Sequence, residues 1–185
     1  MGHAGAMFRE GFKMVGGLSI ECVLMTREGL VPLSWLRPGD LVETRDAGFQ
    51  PIVRIDPVDS PIKQGVDLGG GVLAAQRMLA AGWPIEMYFG YDEMLACAGD
   101  VVMNVAGGKE KTFVHVTLET PNLMRVGDFW MESHGGVQPM HPVLTRQEVA
   151  QVNRAFGCPV VRCEDVVPVV PPDVLTTFGS HAAVA

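Results

Sequence analysis

Basic residues are scarce in this chain, and their scarcity excludes two classes of partner. Lysine and arginine total 14 against 21 aspartate and glutamate residues, which gives a formal net charge of -7. Nucleic acids and anionic membranes are recognised through clustered positive charge, and the sequence contains no long run of lysine or arginine. We therefore predict that the chain binds neither nucleic acid nor membranes.

Long apolar runs are also missing from the sequence. No run approaches the roughly 20 residues that a helix needs to cross a bilayer. Arg9 and Lys13 lie near the N-terminus, but no continuous apolar core with a small-residue cleavage site follows them. No secretion signal is predicted, and the expected location is the cytoplasm or the interior of an assembled particle.

Cysteine is sparse, with Cys22, Cys97, Cys158 and Cys163 as its four occurrences. They form no CxxC pair, and four in a chain of 185 residues do not predict a disulfide scaffold. We interpret them mainly as buried small apolar residues. A disulfide or a metal-binding pair formed by Cys158 and Cys163 stays open. The three glycines at 69–71 lack the spacing of a nucleotide-binding loop and predict a flexible turn, so no cofactor is predicted.

The residues that are present favour one globular domain with a mainly β fold. Hydrophobic residues make up 48% of the chain and charged residues 19%, which is typical of a globular protein. The strongest local pattern lies at 17–55, where short apolar segments alternate with turns at 27–29, 38–40 and 46–48. Short segments rich in β-branched residues, separated by Gly, Pro and Asp, predict β-strands.

The middle of the chain carries weaker signals. Leucine, methionine and many alanines at 72–81 predict a short helix, with Gly82 as its C-terminal cap and Pro84 as its stop. The residues at 85–97 and 112–118 have strand character.

The C-terminal part combines one strong helix signal with an extended tail. Thr145 and Glu148 have the spacing of a capping box, and apolar residues then recur at helical spacing, which predicts a helix at 146–156. The later prolines at 168, 171 and 172 exclude a central strand and favour an extended edge or polyproline segment. Such a tail can add to a neighbour's sheet edge or cover an edge of its own domain.

Three polar residues near apolar segments are candidates for a functional role: the adjacent pair Asp92 and Glu93, and His115. Asp92 and Glu93 are adjacent, and adjacent strand residues point to opposite faces, so we interpret them as a solvated turn rather than a shared carboxylate site. His115 lies in an alternating apolar strand, which favours a structural histidine held by hydrogen bonds.

Later histidines give no site pattern of known spacing. His134 and His141 would need Cys158 and Cys163 to complete a zinc site, and their spacing fits no standard zinc pattern. Ser133 directly precedes His134, which is poor geometry for a nucleophile and its base. The residues themselves therefore predict no metal site and no catalytic site.

The stretch at 17–55 resembles the start of a known domain family. The resemblance lies in LMT at 24–26, VPL at 31–33, LRPGDLVET at 36–44 and QPIVRI at 50–55, with weaker matches at 113–119 and 128–133. These segments are similar to the bacterial Hint domain, the fold of the Hedgehog and intein type. The resemblance implies an all-β horseshoe of short strands. The short internal helix and the C-terminal helix predicted from the residues complete the expected fold.

The family's catalytic positions are altered in this sequence. Active Hint domains begin with a Cys or Ser that attacks the preceding carbonyl, and the family spacing places it at Gly17, which has no side chain. Ser19 and Cys22 follow, but either would need a strand slip to take that place. The family's central His is missing from the corresponding segment, 87–95. The resemblance therefore implies a degenerate member without the nucleophile and without the catalytic His.

A degenerate Hint domain predicts a structural or assembly protein, such as a component of a phage or phage-derived virion. Protein partners are expected through an N-terminal arm, residues 1–16, and through the C-terminal helix and tail, residues 141–185. Between them lies the β-domain at 17–140. The alternative function is an autoprocessing enzyme that uses Cys22 or Ser19 as its nucleophile.

Overall fold

The computed structural model of the protein describes residues 16–59, 65–68, 70–101, 111–135 and 141–156. The strands in these ranges are β1 (Leu18–Ser19), β2 (Val23–Thr26), β3 (Gly29–Pro32), β4 (Leu41–Thr44), β5 (Gly48–Pro57), β6 (Val66–Asp67), β7 (Gly71–Val72), β8 (Arg77–Ala81), β9 (Glu93–Cys97), β10 (Phe113–Leu118), β11 (Leu123–Val126) and β12 (Phe129–Glu132). The helices are α1 (Trp83–Phe89), α2 (Ala98–Val101) and α3 (Arg146–Phe156), with a 3-10 turn at Leu33–Trp35. None of the described helices is long and apolar enough to cross a membrane.

The strands form one curled antiparallel sheet with the shape of a half-barrel. Their order is β6-β7-β1-β10-β5-β4-β2-β11-β12-β8-β9, and β3 pairs with β2 outside this path. The ten-residue strand β5 pairs with β4 along its first part and with β10 along its second. β5 thereby joins the two halves of the sheet, and the mainly β fold is confirmed.

The hairpins expected at 17–55 are present. β2 and β3 pair from Val23 opposite Pro32 to Thr26 opposite Gly29. Gly29 has a φ of 107°, a backbone conformation that other residues rarely adopt. Before β4, the Asp40 carboxylate accepts a hydrogen bond of 2.7 Å from the Arg37 N–H, a typical way for Asp to stabilise a turn. Local turn chemistry therefore specifies this part of the fold.

Most of the buried apolar side chains belong to one core inside the curled sheet. Leu24, Val42, Val72 and Met131 are its least exposed members. A second cluster lies between the sheet and the helices, where Leu144, Val149 and Val152 pack against Ala80, Ile85 and Met94. Helix α3 is thereby attached to the end of the sheet formed by β8 and β9.

The helix predicted at 72–81 is wrong. These residues form the end of β7, a short turn and strand β8, which pairs with β9 on one side and with β12 on the other. Four of the five residues of β8 are buried, so the strand is covered on both faces. A strand covered on both faces does not alternate in polarity, and its alanines suggested a helix. Helix propensity amounts to less than about 1 kcal/mol per residue and is overridden by this packing.

Gly82 and Pro84 begin a helix rather than end one. Gly82 is the N-cap of α1 and Pro84 lies in its first turn, where the missing N–H of proline costs no hydrogen bond. The expected strand at 85–97 is therefore confirmed only for β9. Ile85 is the buried residue of α1, while Met87 on the same helix is 54% exposed.

Two predictions in the second half of the chain are confirmed. Strand β10 occupies Phe113–Leu118, and α3 spans Arg146–Phe156. The Thr145 Oγ1 accepts a hydrogen bond of 3.3 Å from the Glu148 N–H, and the Glu148 carboxylate accepts one of 2.7 Å from the Thr145 N–H. This reciprocal pair is the capping box that the sequence indicated.

Candidate functional site

Gly17, the position that the resemblance assigns to the nucleophile, lies immediately before β1. Its carbonyl accepts a hydrogen bond of 2.9 Å from the Leu73 N–H. A Cβ added at Gly17 would stand 2.8 Å from Val58 Cγ2 and 3.2 Å from Leu73 Cδ1. The first distance is shorter than real carbon contacts allow, so a larger residue would fit at position 17 only if its neighbours repacked.

An imidazole lies on the strand that pairs with β1. β1 and β10 pair with Leu18 opposite Val114 and Ser19 opposite Phe113. His115 follows Val114 on β10 and lines a cleft together with Gly16 and Leu18, the residues on either side of Gly17. The ring of His115 stacks on that of His134, with 4.1 Å between ring centroids and 37° between planes. The fold therefore brings two histidines together beside the position expected for a nucleophile.

The two histidines line a cleft of about 320 Å³ whose wall also includes Gly16, Gln76 and Glu132. Desolvation lowers the pKa of His115 and the neighbouring His134 adds to this effect, while Asp56 opposes it. Both main causes favour a neutral His115 ring. Such a ring can accept or donate a proton near neutral pH, which is the property that acid–base chemistry requires.

Hydrogen bonds from the surrounding strands hold the cleft. The His134 N–H donates to the Val116 carbonyl at 2.7 Å, and Gln76 Nε2 donates to the Glu132 carbonyl at 2.7 Å. Burial raises the pKa of Glu132, although the Arg77 guanidinium lies 3.7 Å from its carboxylate and acts in the opposite direction. These contacts fix the wall around the imidazoles.

Ser19 and Cys22, the two alternative nucleophiles, are both packed around Gly71. Ser19 has no solvent exposure, and its Oγ accepts a hydrogen bond of 3.2 Å from the Glu21 N–H. The Cys22 thiol is 1% exposed and donates to the Gly71 carbonyl at 3.2 Å. A Cβ at Gly71 would lie 3.3 Å from Ser19 Cβ, so glycine at this position permits the close approach.

The Cys22 thiol is held in its protonated form. Burial raises its pKa to about 11, and Lys111 lowers it to a smaller extent. Lys111 is itself occupied by an ion pair with Glu21, at 2.8 Å. Because the thiolate is the attacking form of cysteine, Cys22 is a poor nucleophile at neutral pH. Its interpretation as a buried apolar residue is confirmed, whereas Cys97 is only half-buried.

In the described residues, the two histidines form no hydrogen bond with the possible nucleophiles Ser19 and Cys22. Ser19 lies opposite Phe113, so it shares a face of the sheet with His115 as its diagonal neighbour. Diagonal neighbours are typically about 7–8 Å apart, beyond hydrogen-bond reach. Among the described residues, no hydrogen bond joins Ser19 or Cys22 to an imidazole. The arrangement can move a proton but holds no activated nucleophile.

The structure adds a contact to the interpretation of His115. The sequence predicted a structural histidine, and its ring stacks on that of His134. Sequence reasoning missed this stacking of His115 on His134. The alternation of β10 was visible, but the partner strand and its register were not.

Glu93 does not belong to a solvated turn. It is the first residue of β9, and its carboxylate binds the guanidinium of Arg45 and lies 3.3 Å from His141 Nε2. Arg45 is only 8% exposed, which makes this pair a buried link between the β4–β5 turn and β9. Asp92 beside it is exposed, so the two carboxylates share no site, as expected. Arg45 is too distant in sequence for this contact to be predicted.

A zinc site formed by His134 and His141 would need Cys158 and Cys163 as further ligands. Cys158 and Cys163 lie outside the described residues. His134 contacts His115, whereas His141 contacts Glu93. Across the residues with described positions, no group of three or more His, Cys, Asp or Glu side chains has an arrangement able to hold a metal ion. The Ser133 hydroxyl is not free to act as a nucleophile either, since it accepts a hydrogen bond from Asn122 N–H at 3.0 Å.

No protein-family model, curated protein or solved structure matches this chain.

Proposed function

We propose that this protein is a non-catalytic domain of Hint type that serves as a structural or assembly protein. One observation carries the proposal: an imidazole pair lines a cleft with Gly16 and Leu18, the neighbours of Gly17, where the nucleophile of an active domain would stand. Position 17 has no side chain, and one would fit only if Val58 shifted. The two displaced candidates, Ser19 and Cys22, are buried and bound elsewhere. Proton-transfer groups without a nucleophile are what the loss of a self-cleavage reaction would leave.

The Hint-type fold is supported by the placement of the matched segments. The opening matches at 17–55 form the β2–β3 and β4–β5 hairpins. The weaker matches at 113–119 and 128–133 contain β10 and β12. β10 lies between β1 and β5, so the first matched segment and a later one are adjacent in the sheet.

The assembly role is supported by the surface. Large hydrophobic side chains are exposed on several elements, among them Leu30 (51%), Trp35 (73%) and Val53 (52%). Exposed apolar side chains of this size can contribute contacts to a protein-binding site. We infer that partners of a multi-protein particle, such as a phage or phage-derived virion, bind the domain together with its N-terminal arm and its C-terminal tail.

The absence of self-cleavage is tested by the intact mass of the purified full chain. The chain is incubated at neutral pH for a day with and without a small thiol, beside Ser19→Ala and Cys22→Ala variants. We expect one uncleaved mass in every sample. A product ending at Leu18 that Ser19→Ala abolishes, or one ending at Glu21 that Cys22→Ala abolishes, would overturn the non-catalytic proposal.

The assembly role is tested by sedimentation from the source cells. A tagged full chain is compared with versions that lack residues 1–16 or 164–185, each first checked for folding by its thermal unfolding. We expect the full chain to sediment with a high-mass particle and both truncated chains to stay in the light fraction. Unchanged sedimentation of both truncated chains would contradict the role of the arm and the tail.

Self-cleavage by Ser19 is a second candidate, because one observation favours it. Ser19 shares a face of the sheet with His115, so a shift of β1 towards the imidazole would bring a hydroxyl and a base together. The mass measurement above decides between the two candidates. His115→Asn should abolish any cleavage that depends on this pair.

A further inference from the structure

A groove beside the most exposed tryptophan lies at the start of β4, at the opposite end of this strand from the β4–β5 turn. It has a volume of about 380 Å³ and is lined by Val31, Trp35, Leu36 and Leu41 between two turns. One turn carries Arg27 and Glu28 and the other carries Gly39 and Asp40. Its volume falls within the range of pockets that bind peptides and small ligands, roughly 300–1,000 Å³.

The shape of this groove depends on contacts that leave Trp35 free to bind. Leu36 is 5% exposed and forms the floor, while Trp35 is 73% exposed and forms a wall. The Arg37 guanidinium donates to the carbonyls of Ser34 and Leu36 at 3.1 and 2.8 Å, which fixes the backbone on both sides of Trp35. A preformed aromatic wall over an apolar floor is the surface that polyproline helices recognise.

The chain contains one segment with the matching chemistry. Pro168, Pro171 and Pro172 form a PxxP motif in the sequence VVPVVPP at 166–172. Acidic residues flank it on both sides, at 164–165 and at 173. Arg27 lines the groove together with the carboxylates of Glu28 and Asp40, so recognition of the segment rests on its prolines and Trp35 and not on its flanking charges.

The distance between the groove and the end of α3 permits binding within one chain. Nine residues separate Phe156 from Val166, and they reach about 30 Å when extended. Helix α3 packs on α1 and α2 beside β8 and β9, and four strand steps of roughly 4.8 Å separate β9 from β2. The linker is therefore long enough for the tail to return to the groove beside β2.

We propose that the groove beside Trp35 binds the PxxP segment at 166–172 of the same chain. Attachment of the segment to the same chain gives it an effective concentration of roughly 1 mM. A groove with a dissociation constant of about 0.1 mM would then be filled in about nine of ten molecules. The proposal does not depend on the proposed function, since it concerns the position of the tail in the free protein. In an assembly, a partner that binds the tail would first displace it from Trp35.

Limited proteolysis of the full chain tests the proposal. Elastase cleavage within 164–173 is followed by mass spectrometry in the wild type and in Trp35→Ala, Trp35→Phe and Trp83→Ala variants. Releasing a segment that is bound nine-tenths of the time should raise its cleavage rate about tenfold in Trp35→Ala. Trp35→Phe keeps an aromatic wall and should stay within about threefold of the wild type. Trp83→Ala removes the exposed tryptophan of α1 and should leave the rate unchanged.

Each contrary result has a definite meaning. Equal cleavage rates in the wild type and Trp35→Ala would overturn the proposal. Faster cleavage in Trp83→Ala alone would place the tail on α1 and would also overturn it. The rates are measured at 1 and 100 μM protein, and protection that grows with concentration would assign the segment to a second copy instead. If Trp35→Ala unfolds, a Pro168→Ala/Pro171→Ala variant replaces it. Compared with the wild type, the indole N–H signal of Trp35 should then shift in the NMR spectrum of this variant. The signal of buried Trp130 should not shift.

Discussion

The two groups of chemically capable side chains in this protein differ in their access to solvent. His115 and His134 line an open cleft, whereas Ser19 and Cys22 are buried around Gly71. Desolvation shifts the pKa of a group in both places, and in both it favours the neutral form. A neutral imidazole is still useful in proton transfer, but a neutral thiol is a poor nucleophile. The same physical effect therefore preserves one half of a possible reaction and suppresses the other.

The largest predicted effect concerns the reactivity of the Cys22 thiol. With a pKa raised from 9.0 to about 11, roughly 0.1% of Cys22 is thiolate at pH 8, against about 9% for an unperturbed cysteine. We expect Cys22 in the folded chain to react with iodoacetamide roughly 100 times more slowly than in the chain unfolded in urea. Peptide mapping by mass spectrometry measures the rate, and half-buried Cys97 provides an internal comparison. A reaction rate of folded Cys22 within tenfold of that in the unfolded chain would show that burial does not suppress its thiolate, and the contrast with the histidine cleft would be lost.

The second prediction concerns the space at Gly17. Gly17→Ala should lower the free energy of unfolding by about 1–3 kcal/mol, because its Cβ would collide with Val58 Cγ2. Urea unfolding measures the change. Val58→Ala removes the colliding atom, so the double variant should be more stable than the sum of the two single changes predicts. Additive effects would mean that position 17 has room for a side chain, and such room would permit a nucleophile there.

The smallest predicted effect concerns the pH dependence of stability at His115. Its pKa is lowered in the folded state, so the unfolded chain binds a proton more readily. Above its ordinary pKa, His115 contributes favourably to the stability of the folded state. This contribution is lost as the pH falls from the ordinary pKa of His115 towards its lower pKa in the folded state. We expect the wild type to lose more stability than His115→Asn between pH 7.5 and 5.5, by less than the effect at Gly17.

The comparison with His115→Asn is needed because other groups titrate nearby. The raised pKa of Glu132 acts with the opposite sign, since its contribution is favourable at low pH and is lost as the pH rises through the folded value. Urea midpoints of both proteins across the pH range separate the two effects. Parallel profiles would show that the ring of His115 is not desolvated in the cleft.

Local chemistry made part of the fold predictable. The hairpins at 17–55 follow from turn residues such as Asp40 and Gly29, and α3 follows from the Thr145–Glu148 capping box. In each case the residues that determine the structure are within a few positions of one another. Strand β8 was missed because its strand character comes from β9 and β12 on either side and not from its own residues.

The sequence by itself determined the mainly β character, the turns, the last helix, and the lack of a side chain at position 17. Only the tertiary structure decided that His115 stacks on His134, that Ser19 and Cys22 meet at Gly71, and that Glu93 binds Arg45. These contacts join residues that are far apart in the chain. Strand register sets them, and a shift of one residue would move every side chain of a strand to the other face.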